Sequence, residues 1–78
     1  MLNVRMEIFK IINKYANEKV LASKDVSLIK DLNFDSMQLI QVITEIEELF
    51  NISLELGEEL LDLIESTDAI IEYIEGIY

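Results

Sequence analysis

Apolar positions recur along this chain at helical rather than strand spacing. Val4, Ile8, Ile11, Ile12 and Tyr15 lie three or four residues apart, with Phe9 and Ala16 beside them, and predict a first helix over residues 4–16 capped by Asn3. Leu39, Val42, Ile43, Ile46, Leu49 and Phe50 fall on one face of a second helix, predicted from Ser36 to Phe50 and ended at Asn51. Gln38, Gln41, Glu45 and Glu48 form the stripe opposite, while Met37, Ile40 and Thr44 sit toward the border of the apolar arc. Residues 58–64 read as a short third helix. Ser66 then caps a last helix over residues 67–75, with Asp68 in its first turn, where a negative charge suits the helix dipole. Ala69, Ile70, Ile71, Tyr73, Ile74 and Ile77 give that helix a wide apolar surface.

Between the first two helices, residues 17–35 carry Val20, Leu21, Val26, Leu28, Ile29, Leu32 and Phe34 among charges without steady periodicity. A loop of this length in a small domain is often functional, and its apolar residues are expected to plug it onto the core. Residues 51–57 form a second loop. Proline is absent and only Gly57 and Gly76 interrupt the pattern, which favours helices over a turn-rich β fold. The expected architecture is all-α: one domain over residues 1–78, a small four-helix bundle of three longer helices and a short third one.

Composition narrows the function. The chain has no cysteine and no histidine, so it supplies neither thiol nor imidazole chemistry of its own. No run of apolar residues is long enough to span a bilayer, and the N-terminus lacks the basic-then-apolar layout of a signal peptide. A soluble, cytoplasmic, monomeric protein is expected. Charge is segregated: all six Lys/Arg residues lie in the first 30 positions, and residues 31–78 hold thirteen acids and no Lys or Arg, within a net charge of −10. Such a field repels nucleic acid and anionic lipid and steers the acidic half toward basic protein surfaces.

Against that background, Asp35-Ser36-Met37 stands out as a serine presented at a helix start after a long polar loop. Backbone N–H groups and the helix dipole favour an anion there, so a phosphodiester on the serine oxygen would sit in a favourable field. Asp35 stands beside it, placed to help bind metal or orient the hydroxyl in a modifying enzyme, although either Asp35 or Ser36 serves equally as a plain helix cap. A hydrolytic role for Ser36 would need a base and an oxyanion hole, and the chain has neither a histidine nor a Gly-x-Ser-x-Gly elbow. Asp31, Asn33 and Asp35 match the first ligand positions of a calcium loop, but Ser36 stands where its glycine belongs and Val42 where its bidentate glutamate belongs. No metal site and no catalytic residue is expected.

The stretch Asp31-Leu32-Asn33-Phe34-Asp35-Ser36-Met37 resembles the attachment motif of the acyl carrier protein family. Glu45-Ile46-Glu47-Glu48-Leu49-Phe50 resembles the acidic end of that family's second helix, and Ser66-Thr67-Asp68-Ala69-Ile70-Ile71 the start of its last. The resemblance covers nearly the whole chain. It implies that Ser36 takes a 4′-phosphopantetheine arm from coenzyme A through a separate phosphopantetheinyl transferase. The arm's thiol then carries acyl or aminoacyl groups as thioesters between enzymes with basic docking surfaces. The protein would be a carrier and not an enzyme. Asn33 stands where the family often has glycine, and Met37 where it usually has leucine. Gln38 and Gln41 occupy positions often acidic in fatty-acid carriers, so the implied partner face is Met37, Ile40, Gln41, Thr44, Glu47 and Glu48, less charged near Ser36. A polyketide, nonribosomal peptide or other specialised pathway is therefore nearly as reasonable an expectation as fatty acid synthesis. The alternative is an unmodified acidic helical adaptor that binds a basic protein, which needs only the charge segregation and an apolar helix.

Overall fold

A computed structural model describes residues 3–22, 24–54 and 62–77. Three long helices are described: α1 (Val4–Tyr15), α2 (Ser36–Phe50) and α3 (Thr67–Ile77). Residues 62–64 are also helical, the end of the predicted third helix; residues 58–61, where that helix was expected to begin, lie outside the described residues. The fold is a small helical bundle, as the periodicity predicts.

Local signals set the helix ends. The Asn3 side chain accepts the Met6 N–H at 3.1 Å and opens α1. Ala16, expected inside the first helix, instead leaves it with ψ 146°, though its N–H still reaches the Ile12 carbonyl. Asn51 closes α2 in the left-handed conformation, φ 54°, which its short polar side chain tolerates. The last helix runs to Ile77, past the expected end at Glu75. Gly76 adopts ordinary helical backbone there and has open space around it, so it does not act as a stop.

α1 packs against both other helices. It contributes Ile8, Phe9, Ile11 and Ile12; α2 contributes Val42, Ile43, Ile46 and Phe50; α3 contributes Ile70, Ile71 and Ile74. Each buried isoleucine or phenylalanine is worth about 1.5–3 kcal/mol of transfer free energy, so this cluster is the main stabilising element. The stripes were legible, yet their edges were not: Leu49, Tyr73 and Ile77, members of the apolar faces, are substantially exposed.

The long loop is tied down at several points. Val20, Leu28 and Phe34 enter the core as expected, and Val26 and Leu32 pack against it. Leu21 and Ile29 do not; both face solvent. Asn13 brackets Val20, donating to its carbonyl at 3.0 Å and accepting its N–H at 2.6 Å. The Leu28 N–H donates to the Ile64 carbonyl and the Thr67 N–H to the Val26 carbonyl, both at 2.9 Å. The loop is thus clamped between α1 and the start of α3, by partners far away in sequence.

Candidate functional site: the start of helix α2

The loop ends in a tight turn that aims the chain into α2. Asp31 Oδ2 accepts the Ser27 N–H at 2.7 Å, and the Ser27 carbonyl accepts the N–H groups of Asp31 and Leu32. The Phe34 N–H returns to the Leu28 carbonyl at 2.9 Å. Between them Asn33 takes φ 55°. This left-handed backbone is open to glycine and tolerated by asparagine, which accounts for Asn33 at a position where glycine is common in the resembling family. Phe34 then plugs into the core and Asp35 emerges at the surface.

Asp35, not Ser36, caps the helix. Its Oδ1 accepts the Gln38 N–H at 2.8 Å, and the Gln38 side chain returns the bond by accepting the Asp35 N–H at 2.9 Å. The pair forms a complete capping box. Ser36 is therefore the first helical residue, exposed, and no hydrogen bond among the described residues engages its hydroxyl. The N–H groups of Ser36 and Met37 have no partner among the described residues either, as the first turn of a helix leaves its donors free.

The other predicted residues lie on one stripe running from Ser36 down α2. Met37 is 67% exposed and Ile40 55% exposed; Gln41, Thr44 and Glu48 are exposed as well. Two large apolar side chains thus lie in water on the stripe that begins at the free hydroxyl. Glu47 departs from the expectation. It is half-buried, and its Oε2 accepts the Leu54 N–H at 2.7 Å, so it braces the chain after α2 rather than standing free.

The predicted polar stripe divides in the same way. Gln41 and Glu48 face solvent, but Gln38 and Glu45 turn toward α1. Glu45 accepts from Lys14 Nζ at 3.0 Å and from the Tyr15 hydroxyl. The Tyr15 hydroxyl, then the Lys14 ammonium, hold the Glu45 carboxyl below its ordinary range. Sequence reasoning missed Gln38 as a structural residue, although an acid followed three positions later by glutamine is the capping-box signature.

Asp31 and Asp35 are thus committed to a turn and a cap, and Asn33 to a left-handed turn. Among the described residues no cluster of three acidic, histidine or cysteine side chains is gathered to hold a metal ion. No helix among the described residues is long and apolar enough to cross a membrane.

Comparison with known proteins agrees with this geometry. The family described as "Phosphopantetheine attachment site" matches residues 7–74, most of the chain. A relative named acyl carrier protein, from Buchnera aphidicola subsp. Schizaphis graminum (strain Sg), is 36% identical over 79 aligned residues, covering 97% of this chain and 95% of its own.

Proposed function

Because the chain belongs to the acyl carrier protein family, and with it to the phosphopantetheine-attachment fold, we propose that Ser36 is the residue that bears the arm. Membership brings a covalently attached 4′-phosphopantetheine, a phosphopantetheinyl transferase that installs it, and biosynthetic enzymes that use it. The arm supplies the thiol that a chain without cysteine lacks, and acyl groups ride on it as thioesters.

The observation that carries the assignment to Ser36 is the division of labour at the start of α2. Asp35 and Gln38 meet the capping needs, and the serine hydroxyl remains exposed and unbonded. These residues fit the group. A phosphodiester on Ser36 would lie at the positive end of a fifteen-residue helix, next to open N–H groups. On this reading the Ser36 oxygen forms a bond to the phosphorus that carries the pantetheine half of coenzyme A. The bond from that phosphorus to the nucleotide half breaks, and the hydroxyl proton passes to a base on the transferase. This chain has no histidine to take it, which supports a carrier that is acted on rather than an enzyme.

The stripe Met37, Ile40, Gln41, Thr44 and Glu48 then presents the arm to partners, with Glu47 at its rim. Its head is apolar and uncharged, while the acidic field of residues 31–78 draws basic surfaces to it. That pattern suits dedicated enzymes of a specialised acyl or aminoacyl pathway nearly as well as those of fatty acid synthesis. We place the work in the cytoplasm, done by the domain as a monomer.

Intact mass spectrometry tests the site. Wild-type protein incubated with coenzyme A, magnesium and a broad-specificity phosphopantetheinyl transferase should gain one phosphopantetheinyl unit, and Ser36→Ala should gain none. A folded wild type that stays unmodified with its cognate transferase would sink the assignment and leave an acidic adaptor, whose activity Ser36→Ala would not touch.

A further inference from the structure

The arrangement around Tyr15 assigns a second task to the start of α2. Gln38 Nε2 donates to the Tyr15 carbonyl at 3.0 Å, 23 residues away in sequence. That carbonyl belongs to the last turn of α1, where the helix itself offers no donor. Two turns further along α2, Glu45 accepts from the hydroxyl of the same tyrosine. Residues 38 and 45 share a helix face, so α2 grips Tyr15 at both ends, by backbone at one and ring hydroxyl at the other.

From this geometry we propose that Gln38 is a positioning residue for Ser36: its amide locks the first turn of α2 to α1 and so fixes where the serine hydroxyl points. The inference rests on Ser36 being the attachment residue. One side chain does both jobs, because Gln38 Oε1 holds the Asp35 N–H while Nε2 holds α1. Ser36 lies two residues earlier, on the opposite side of the helix, and has no tie of its own. Its oxygen rides roughly 4 Å from the helix axis, so a rotation of about 15° moves it by about 1 Å. Displacement on that scale costs a reacting group up to about a hundredfold in rate.

The role requires an amide. A carboxylate at position 38 still accepts the Asp35 N–H, but it has no donor for the Tyr15 carbonyl and sets two oxygens against each other.

The test is steady-state kinetics of phosphopantetheinyl transfer on Gln38→Glu, alongside the 13C′ chemical shift of Tyr15 and the 15N order parameter of Ser36. The expected result is a kcat reduced about tenfold, a KM that does not rise because the added carboxylate favours a basic transferase, a displaced Tyr15 13C′ shift and a lower Ser36 order parameter. Gln38→Ala removes both bonds without adding charge and should lower kcat as much. Ser66→Ala, which weakens the distant start of α3, should lose stability at unchanged kcat, so a merely destabilised fold does not imitate the effect. A kcat within twofold of wild type, a loss confined to KM, or an unmoved Tyr15 shift would overturn the proposal while wild type is modified normally. A wild type that is never modified would overturn it together with the Ser36 assignment.

Discussion

Two helices of this chain carry a serine and an aspartate at their start, and they use them in opposite ways. At α3, Ser66 is the cap: its hydroxyl accepts the Ala69 N–H at 3.2 Å and donates to Asp25 at 2.7 Å. Thr67 behind it is fully buried, its hydroxyl accepting the Val26 N–H at 3.1 Å. Asp68 pairs with Arg5 at 2.8 Å. The polar side chains at that start are all engaged, in the cap, in the long loop or with α1. At α2, Asp35 caps instead, and the neighbouring serine is released into solvent. A hydroxyl that closes a helix is held by that bond, whereas one left unbonded is open to a modifying enzyme. Moving the capping duty one residue back frees the serine without leaving the terminus uncapped.

The most severe way to separate the two starts is to remove one hydroxyl from each. Ser36→Ala should abolish modification and leave stability within about 0.5 kcal/mol, as for an exposed position with no bonds to lose. Thr67→Val should do the reverse. It strips the partner from the Val26 N–H inside the structure, at a cost of about 1–3 kcal/mol, or roughly 5–20 °C in Tm for a chain this small. Its modification, measured by mass on the folded fraction, should proceed as in wild type. Equal Tm losses in the two variants would mean that Ser36 is structurally engaged and not free.

Much of this contrast was present in the residue order, and the part that was not has a common cause. The α2 boundaries and the Asn3, Asn51 and Ser66 caps follow from local backbone chemistry, which acts within four residues and so leaves a readable trace. The choice between Asp35 and Ser36 as cap is also local; Gln38 decides it, since it returns a bond to Asp35 and would lie one residue too early for Ser36. The fate of the long loop is not local. Asp25 reaches Ser66, Leu28 reaches Ile64, and Thr67 reaches back to Val26. No periodicity records such pairings, and hydropathy alone cannot tell the buried Leu28 from the exposed Ile29 beside it. Glu45 and Glu47 were similarly opaque: as members of an acidic run they look solvated, and only the fold brings Tyr15 and the Leu54 N–H against them.

A finer distinction concerns charge at the α2 cap. Asparagine caps a helix about as well as aspartate, while alanine costs about 1 kcal/mol. Asp35→Asn should therefore keep the wild-type Tm and Asp35→Ala should lower it by several degrees, close to the loss from Ser66→Ala. If the Asp35 carboxylate also helps the transferase, Asp35→Asn will be modified more slowly despite its intact fold, whereas Ser66→Ala will be modified at the wild-type rate. Asparagine and aspartate giving the same rate would confine Asp35 to the cap.

The smallest effect belongs to Asp25, the loop carboxylate set against the start of α3. The Ser66 hydroxyl, then the Asp68 N–H, hold its carboxyl below the usual aspartate range, and the positive end of the helix favours the same charge. A group whose folded-state value is depressed contributes stability above its unfolded value, and loses that contribution as pH falls through the folded one. Asp25→Asn should thus be less stable than wild type at neutral pH. Because the group is well exposed, solvent screening limits the difference to a few tenths of a kcal/mol, about 2 °C in Tm. The gap should close as pH falls below about 4, where wild type takes up the proton that the amide variant never needed. Thermal melts of the two proteins across that range would show the curves converging from above. Curves that coincide at every pH would mean that Asp25 holds α3 by hydrogen bonds that an amide replaces equally well, and that its charge adds nothing to the loop clamp.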